Sequence, residues 1–495
     1  MERWEAGANL RVAAASTDAA AIERARLHLY RVSPRRSARR AFYWTQIFAF
    51  CSLSGALYWG LHTAPGATLL LLHAAAIALF STVIAWRLAA AANLSPLLSR
   101  LSDPEDWPIY TVLCPLYREA HVVADLVAAL EHIEYPKDAL DIKLIVEGDD
   151  VETLTAALAV SGAPHIDVVI VSPTAPRTKP KALNVGLERA RGDYLAVFDA
   201  EDRPHPQQLQ AALAAFEDGP DTLACVQAPL VIDNGEAAWI ARQFAAEYEI
   251  QFREILPFLA RAGLPLPLGG SSNHFRVDML RAIGGWDPYN VTEDADLGYR
   301  FAREGLTTDV IAPPTWEEGP VTLKAWRRQR ARWIKGHMQT WLVLMRDPFG
   351  AMREMGAANF AAMQLTLLGG ILAAFAHAPL AILVLTAMFT SYNLTPVDFA
   401  LAISGYGVGF FAALSAAALS GNTTHIRTAL TMPFYWPLLT IPALQALVEL
   451  IFRPHAWAKT THGVSPRRKI SAPASAARAE VRTPHQPRAR SGSRR

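Results

Sequence analysis

Four short clusters in this chain hold the residue types that could do chemistry. The first is Asp199-Ala200-Glu201-Asp202. Two carboxylates one residue apart at a strand end can reach one hard cation. Mg2+ or Mn2+ commonly takes one or two protein carboxylates and completes its shell with substrate phosphate. Alone, the same residues would make a solvated acidic turn. The second cluster is Glu147, Asp149 and Asp150 in "VEGDD". These could accept hydrogen bonds from a base or a ribose, or cap the next helix. The third, Thr292-Glu293-Asp294, follows the turn "GGWDPYN". A carboxylate there could take a proton from an attacking hydroxyl, or Thr292 or Asp294 could cap a helix. The fourth, "WRRQRARWIKGHMQTW", sets Gln329, Arg332 and Trp333 at i, i+3 and i+4, one face of a helix. A planar indole suits the apolar face of a pyranose, and a guanidinium beside it can grip a diphosphate bidentately. Trp326, Trp333 and Trp341, with Lys324, Arg327, Arg328, Arg330 and Lys335 around them, also fit an amphipathic helix lying in a membrane interface. Lys179 and Lys181 in "KPKALN" could meet phosphate as point charges.

Alternating elements position these clusters. "YTVLCPLY" (110–117) reads as a strand and leads into a segment of helical periodicity. Further strands follow at 142–150 and 165–173. A helix at 182–192 closes on Gly192, and another strand at 193–202 ends in acids. Such alternation implies a mostly parallel α/β sheet covered on both faces. Ligands of such sheets bind beyond the carboxyl ends of the strands, where the acids sit. No GxGxxG follows the first strand and no Walker sequence occurs, so a dinucleotide or P-loop site is not supported.

The chain of 495 residues is 52% hydrophobic with a net charge of +2. That balance gives no reason to expect nucleic acid. Its three cysteines, Cys51, Cys114 and Cys225, are scattered and form neither a disulfide framework nor a zinc site. Residues 42–62 and 67–93 are each long enough to span a bilayer, which needs about 20 apolar residues. The arginine-rich leader 1–41 places the N-terminus on the cytoplasmic side. Apolar segments resume at 357–391, 399–420 and 430–452. The first is broken by "AHAP" and fits either a short hairpin or one crossing plus a re-entrant piece; the hairpin reading, which gives six crossings, is the one expected. A basic tail, 466–495, reads as disordered.

Taken together and in this order, the motifs resemble the processive family 2 glycosyltransferases of the inner membrane, typified by bacterial cellulose synthase catalytic subunits. The resemblance covers residues 40–465. It implies a cytoplasmic GT-A domain (95–320) inserted between transmembrane segments (42–93 and 357–452), and an interfacial helix at 321–350 carrying QxxRW. "WAKTTHG", within 453–465, is similar to the family's gating loop. By the same resemblance, Asp199 and Glu201 correspond to the DxD that holds Mg2+ or Mn2+. Tyr117, Glu119, Glu147, Asp149, Asp150, Lys179 and Arg332 fall to the donor nucleotide. Thr292, Glu293 and Asp294 are the TED motif, with the aspartate as base. Gln329 and Trp333, with Gly270 and Ser271 of "LGGSSNHFR", fall to the acceptor. The implied activity is inverting polymerisation of a β-glucan from UDP-glucose, extruded through the enzyme's own channel toward periplasmic export partners. The alternatives are a non-processive enzyme with a lipid acceptor, and a synthase using UDP-N-acetylglucosamine. The implied location is the bacterial inner membrane. The PilZ domain usual in cellulose synthases is not expected here.

Overall fold

The computed structural model describes residues 19–390, 394–422 and 424–457. The basic tail, most of the gating-like segment and residues 1–18 lie outside the described residues. Residues 110–317 build a seven-stranded sheet and a three-stranded one. The strands are β1 (Tyr110–Leu116), β2 (Leu140–Glu147), β3 (Ile166–Val171), β4 (Tyr194–Val197), β5 (Arg203–Pro204), β6 (Leu223–Gln227), β7 (Leu230–Ile232), β8 (Asn273–Arg276), β9 (Thr307–Val310) and β10 (Thr315–Glu317). The large sheet runs β3-β2-β1-β4-β8-β6-β9, with β8 alone antiparallel to its neighbours. In the small sheet β10 lies between β5 and β7.

β1 and β2 pair along seven consecutive positions, and β2 is buried throughout. That is the environment expected of parallel strands covered on both faces. The helix Lys179–Arg189 covers one face. Its Gly186 lets it lie on the sheet, because a Cβ there would meet Ile145 Cδ1 at 2.6 Å and Leu113 Cδ2 at 2.9 Å. On this helix docks a second one, Ala19–Val32, whose Ile22 and Ala25 join the core. Asn184 Nδ2 donates to Ala25 O at 2.9 Å and to Trp286 O at 2.8 Å, so one amide ties three segments together. Part of the basic leader therefore belongs to the folded domain.

Among the described residues, four helices are long and apolar enough to cross a membrane: Pro65–Ala91, Ala357–Phe389, Pro396–Ser420 and Met432–Phe452. Trp44–Thr63 is charge-free, but Gln46, Ser52 and Ser54 make it less apolar. The expected six crossings become four such helices, or five with Trp44–Thr63. The expected hairpin at 357–391 is instead one helix of 33 residues. Pro379 lies inside it and does not break it. A proline leaves helical backbone groups without partners, and neighbouring helices can supply them. Next to it, Thr440 bridges the preceding turn: its Oγ1 accepts from Ala378 N at 3.0 Å and donates to Ala374 O at 2.8 Å. The hydroxyl thus stands in for one i→i−4 bond, one turn before the proline.

Replacing Thr440 with Val should leave both backbone groups unpaired and cost about 1 kcal/mol or more. Thermal unfolding in detergent would read this, with Thr440→Ser expected to match the parent protein.

Candidate active site

A cavity of ≈ 510 Å³ opens at the carboxyl ends of β1, β2 and β4 and continues between the membrane-spanning helices. Asp199 and Glu201 enter it from the loop after β4, and Glu147 from the last position of β2. Lys179 reaches it from the first turn of the helix Lys179–Arg189, and Glu293 and Asp294 from the first turn of the helix Glu293–Arg303. Gln329, Arg332 and Trp333 enter from the helix Leu323–Leu344. Tyr117, Glu119, Gly270, Ser271 and Thr292 complete the set. Of the residues given a role by the family resemblance, all but Asp149 and Asp150 border this one space; Lys181, expected to meet phosphate, does not.

Those two acids do other work. Asp149 pairs with Arg177 Nη1 at 2.6 Å. Asp150 caps the helix Val151–Val160 by accepting from Thr153 N, and also accepts from Arg118 N. Both sit in an adjoining depression with Tyr117 and His121. They stand at the cavity's rim, next to Tyr117, which lines both spaces. Glu147 is inside, but its Oε1 is held at 2.7 Å by the fully buried Lys181.

Lys179 organises the acidic end. Its Nζ lies 2.5 Å from Asp199 Oδ1 and donates to Gly270 O at 2.5 Å. Burial works against its charge, yet Asp199, Glu293 and Asp294 outweigh that and hold its pKa above the usual lysine range. Burial pushes the Glu293 and Asp294 carboxyls up, and for Glu293 the neighbouring Asp294 charge adds to it. Asp294 Oδ1 accepts from Ala295 N at 2.7 Å. A Cβ on Gly270 would sit 3.2 Å from its Oδ2, so the absent side chain leaves room beside that oxygen.

Asp199 and Glu201 suit a divalent cation completed by phosphate oxygens. Among the described residues, no group of three or more His, Cys, Asp or Glu is placed to cage a metal. Two carboxylates are the number that a phosphate-bound Mg2+ commonly takes from protein. Buried Asp202 orients this loop, accepting from Asp199 N at 2.7 Å.

Seven cavity residues hold buried polar atoms with no hydrogen-bond partner among the described residues: Glu147 Oε2, Glu254 Oε2, Ser271 Oγ, Thr292 Oγ1, Gln329 Oε1, Arg330 Nε and Arg332 Nε. Buried polar groups are nearly always satisfied, so such a cluster calls for a polar ligand. The Trp333 indole is held by Phe244, 5.7 Å away and stacked, and by the Arg330 guanidinium at 4.9 Å. The Arg332 guanidinium faces the Trp457 ring at 5.5 Å. The helix is exposed at its start and buried further along. Leu323, Lys324, Arg327 and Arg328 are exposed, while Ile334, Lys335, Gly336 and Met338 are buried. Trp326 Nε1 donates to Tyr435 OH at 2.7 Å and Trp341 Nε1 to Gln364 Oε1 at 2.8 Å, so these indoles serve internal packing.

Residues 108–336 match the family model described as "Glycosyltransferase like family 2". The chain carries a family 2 glycosyltransferase domain. A beta-monoglucosyldiacylglycerol synthase of Synechocystis is 26% identical to this transferase over 396 residues, 75% of the present chain and 78% of the relative. The cellulose synthase catalytic subunit of Pseudomonas fluorescens is 29% identical over 253 residues, 48% of this chain and 32% of that protein. Several other curated relatives are spanned over half to three-fifths of their length. Among solved structures, a mannosyltransferase of Pyrobaculum calidifontis in complex with GDP-Man and Mn2+ superposes with a TM-score of 0.52 at 20% identity. It covers 77% of this chain and 99% of its own. The transferase has the GT-A fold.

Sequence reasoning missed Arg177, Glu247, Glu317, Glu318, Arg330 and His337, which also line the cavity. Arg330 and His337 lie on the helix already singled out, so its helical phase could have found them. Glu247, on the helix Trp239–Ile250, carried no local signal. The helix Leu323–Leu344 approaches the TED turn so closely that a Cβ on Gly336 would lie 2.3 Å from Thr292 Oγ1. Gly336→Ala should therefore shift the QxxRW face relative to Asp294 and lower turnover by about a hundred-fold. Steady-state kinetics would read this, with elution volume and circular dichroism expected to stay at parent values.

Proposed function

We propose that the transferase moves a hexosyl group, with inversion, from a UDP-sugar to a hydroxyl presented by a lipid of the bilayer. UDP-glucose is the leading donor. The observation that carries this reading is the single cavity that joins the strand-tip acids to the space between membrane-spanning helices. In its membrane half the walls are mostly aliphatic or small, with Leu365, Leu367, Ile371, Ala374, Ala412 and Leu439 among them. Such walls favour acyl chains over a hydroxylated polymer, because an unpaired hydroxyl in apolar surroundings costs several kcal/mol, roughly 2–7. The span of the Synechocystis glycolipid synthase match, which runs past the soluble domain, supports the same acceptor class.

In this reading the donor's diphosphate lies near Lys179, with Arg332 across the cavity. Asp199 and Glu201 would hold a divalent cation, which when bound neutralises charge on the leaving diphosphate. Asp294 takes the proton of the acceptor hydroxyl, and the freed oxygen attacks the anomeric carbon opposite the departing UDP. The unpaired Gln329 Oε1 and Ser271 Oγ orient sugar hydroxyls. The low-dielectric wall strengthens each of these contacts. The bacterial inner membrane, with the catalytic domain cytoplasmic, is the proposed location.

A second reading is the polymerising β-glucan synthase. The complete QxxRW set, Gln329, Arg332 and Trp333, around the same cavity favours it, as does the cellulose synthase match. Product sizing separates the two: long insoluble glycan against a single-sugar glycolipid.

Asp294→Asn should abolish transfer while leaving UDP binding intact, measured by product formation beside isothermal titration with UDP. Because Asp294 must be deprotonated to act and burial raises its pKa, kcat/KM should climb with pH through a limb above the ordinary carboxylate range. A limb at the pH of a solvated aspartate would sink the base assignment. Trp333→Ala should abolish transfer yet largely spare UDP binding. Equal loss of both would mean that the indole only supports the fold.

A further inference from the structure

The inward stripe of the helix Pro65–Ala91 holds a charge that the protein does not neutralise. Val83, Trp86, Arg87 and Ala90 recur at i, i+3, i+4 and i+7, which is one helix face, and all four line the cavity. Val83 and Ala90 are buried, while Arg87 is open to the space. Among the described residues Arg87 has neither a hydrogen bond nor an ion pair. The carboxylate whose field reaches it is Glu247. One Glu247 oxygen, Oε2, already takes both Arg330 and the Tyr435 hydroxyl, the latter at 2.5 Å.

A cation within a membrane-spanning helix is costly, and where it faces a cavity it commonly marks a substrate path. An arginine that merely reached outward to bulk headgroups would share the lipid face with exposed Leu88 and Ala85. Arg87 faces the other way. Only four positions separate it from Ala91 at the helix end, about 6 Å along the axis. A lipid whose acyl chains lay against Ile371 and Ala374 would bring its headgroup to that level.

We propose that Arg87 binds the phosphate of an anionic lipid, which is the acceptor. This rests on the bilayer-acceptor reading above and goes past it, since that reading leaves the lipid's charge open. The lipid must carry both a phosphate and a free hydroxyl. A guanidinium grips phosphate with two parallel N–H···O bonds, which fixes the headgroup and aims the hydroxyl toward Asp294. In the transfer, the acceptor O–H breaks and its proton passes to Asp294. The oxygen bonds to the anomeric carbon, and the electron pair of the broken bond to the diphosphate leaves with UDP.

The test uses the purified full-length protein in a neutral detergent with the UDP-sugar that supports turnover. Phosphatidylglycerol and diacylglycerol of matched acyl chains are compared as acceptors. Phosphatidylglycerol should be used in preference to the neutral lipid. Arg87→Gln should raise its KM by about ten-fold or more, with the donor KM and acceptor-free donor hydrolysis unchanged. Arg87→Lys should restore part of the loss, which a folding defect would not allow. Preference of the parent protein for diacylglycerol, or an unchanged phosphatidylglycerol KM in Arg87→Gln, overturns the phosphate assignment alone. Transfer that survives in Asp294→Asn, or insoluble polymer made without added lipid, overturns the lipid-acceptor mechanism and this inference with it.

Discussion

The buried ammonium of Lys335 is the point on which the arrangement of this molecule turns. It is fully buried, 2.9 Å from Glu449 Oε2 on a membrane-spanning segment and 2.6 Å from Ala456 O beyond it. A charge so placed is tolerated only with its partners in position, and removal of one partner typically costs several kcal/mol, about 3–5. On the same helix, Gln339 accepts from Val291 N at 3.1 Å and donates to Pro454 O at 2.9 Å. Thr340 accepts from Asn290 Nδ2 at 2.9 Å. One helix is therefore bonded at once to the loop that presents the TED acids and to the end of the membrane region. The active-site geometry and the membrane packing cannot vary independently.

A second constraint is electrostatic. The cavity gathers Glu119, Glu147, Asp199, Glu201, Glu293 and Asp294 at its aqueous end, against few cations. Lys179 stands among them, and the carbonyl of Gly270 fixes its position. Without it, the like charges would raise one another's pKa values further and leave fewer of them ionised. Its bond to Asp199 also means that a phosphate or a cation entering this end must share or displace an existing ion pair.

The parts of this architecture that were legible in the sequence are those encoded locally. β1, β2 and β3 appear as short runs rich in apolar and β-branched residues. The acids after β4 project where parallel sheets place ligands, so the strand-end position of Asp199 and Glu201 was legible from spacing. Asp294, by contrast, was singled out through the resemblance of Thr292-Glu293-Asp294 to a TED motif. Asp149 and Asp150 read two ways for a local reason as well: an acid two or three residues past a strand can serve the site or cap the next helix, and Asp150 caps. What could not be read was non-local. "AHAP" looks like a helix break until Thr440, sixty residues on, bridges the turn that precedes Pro379. The tie from Asn184 to the backbone of Ala25 gave no sign that a basic leader folds onto the domain. The QxxRW helix read as a surface element because its first turns are basic; burial of its later turns depends on Glu449, which is remote in the chain.

Two wide turns border the cavity from opposite partners, Gln251–Ile255 on the soluble side and Gln364–Leu368 in a membrane-spanning helix. In each, the hydrogen bond reaches five residues back instead of four. Each turn thus holds one residue beyond ordinary helical register and rotates everything after it by about 100°, the angle per residue of a 3.6-residue turn. Glu254, whose carboxyl burial raises to about 7, lies within the first of these turns and accepts from the Ser415 hydroxyl. Loss of a single residue from either turn would restore a regular helix and swing a whole wall of the chamber out of phase with the chemistry it encloses.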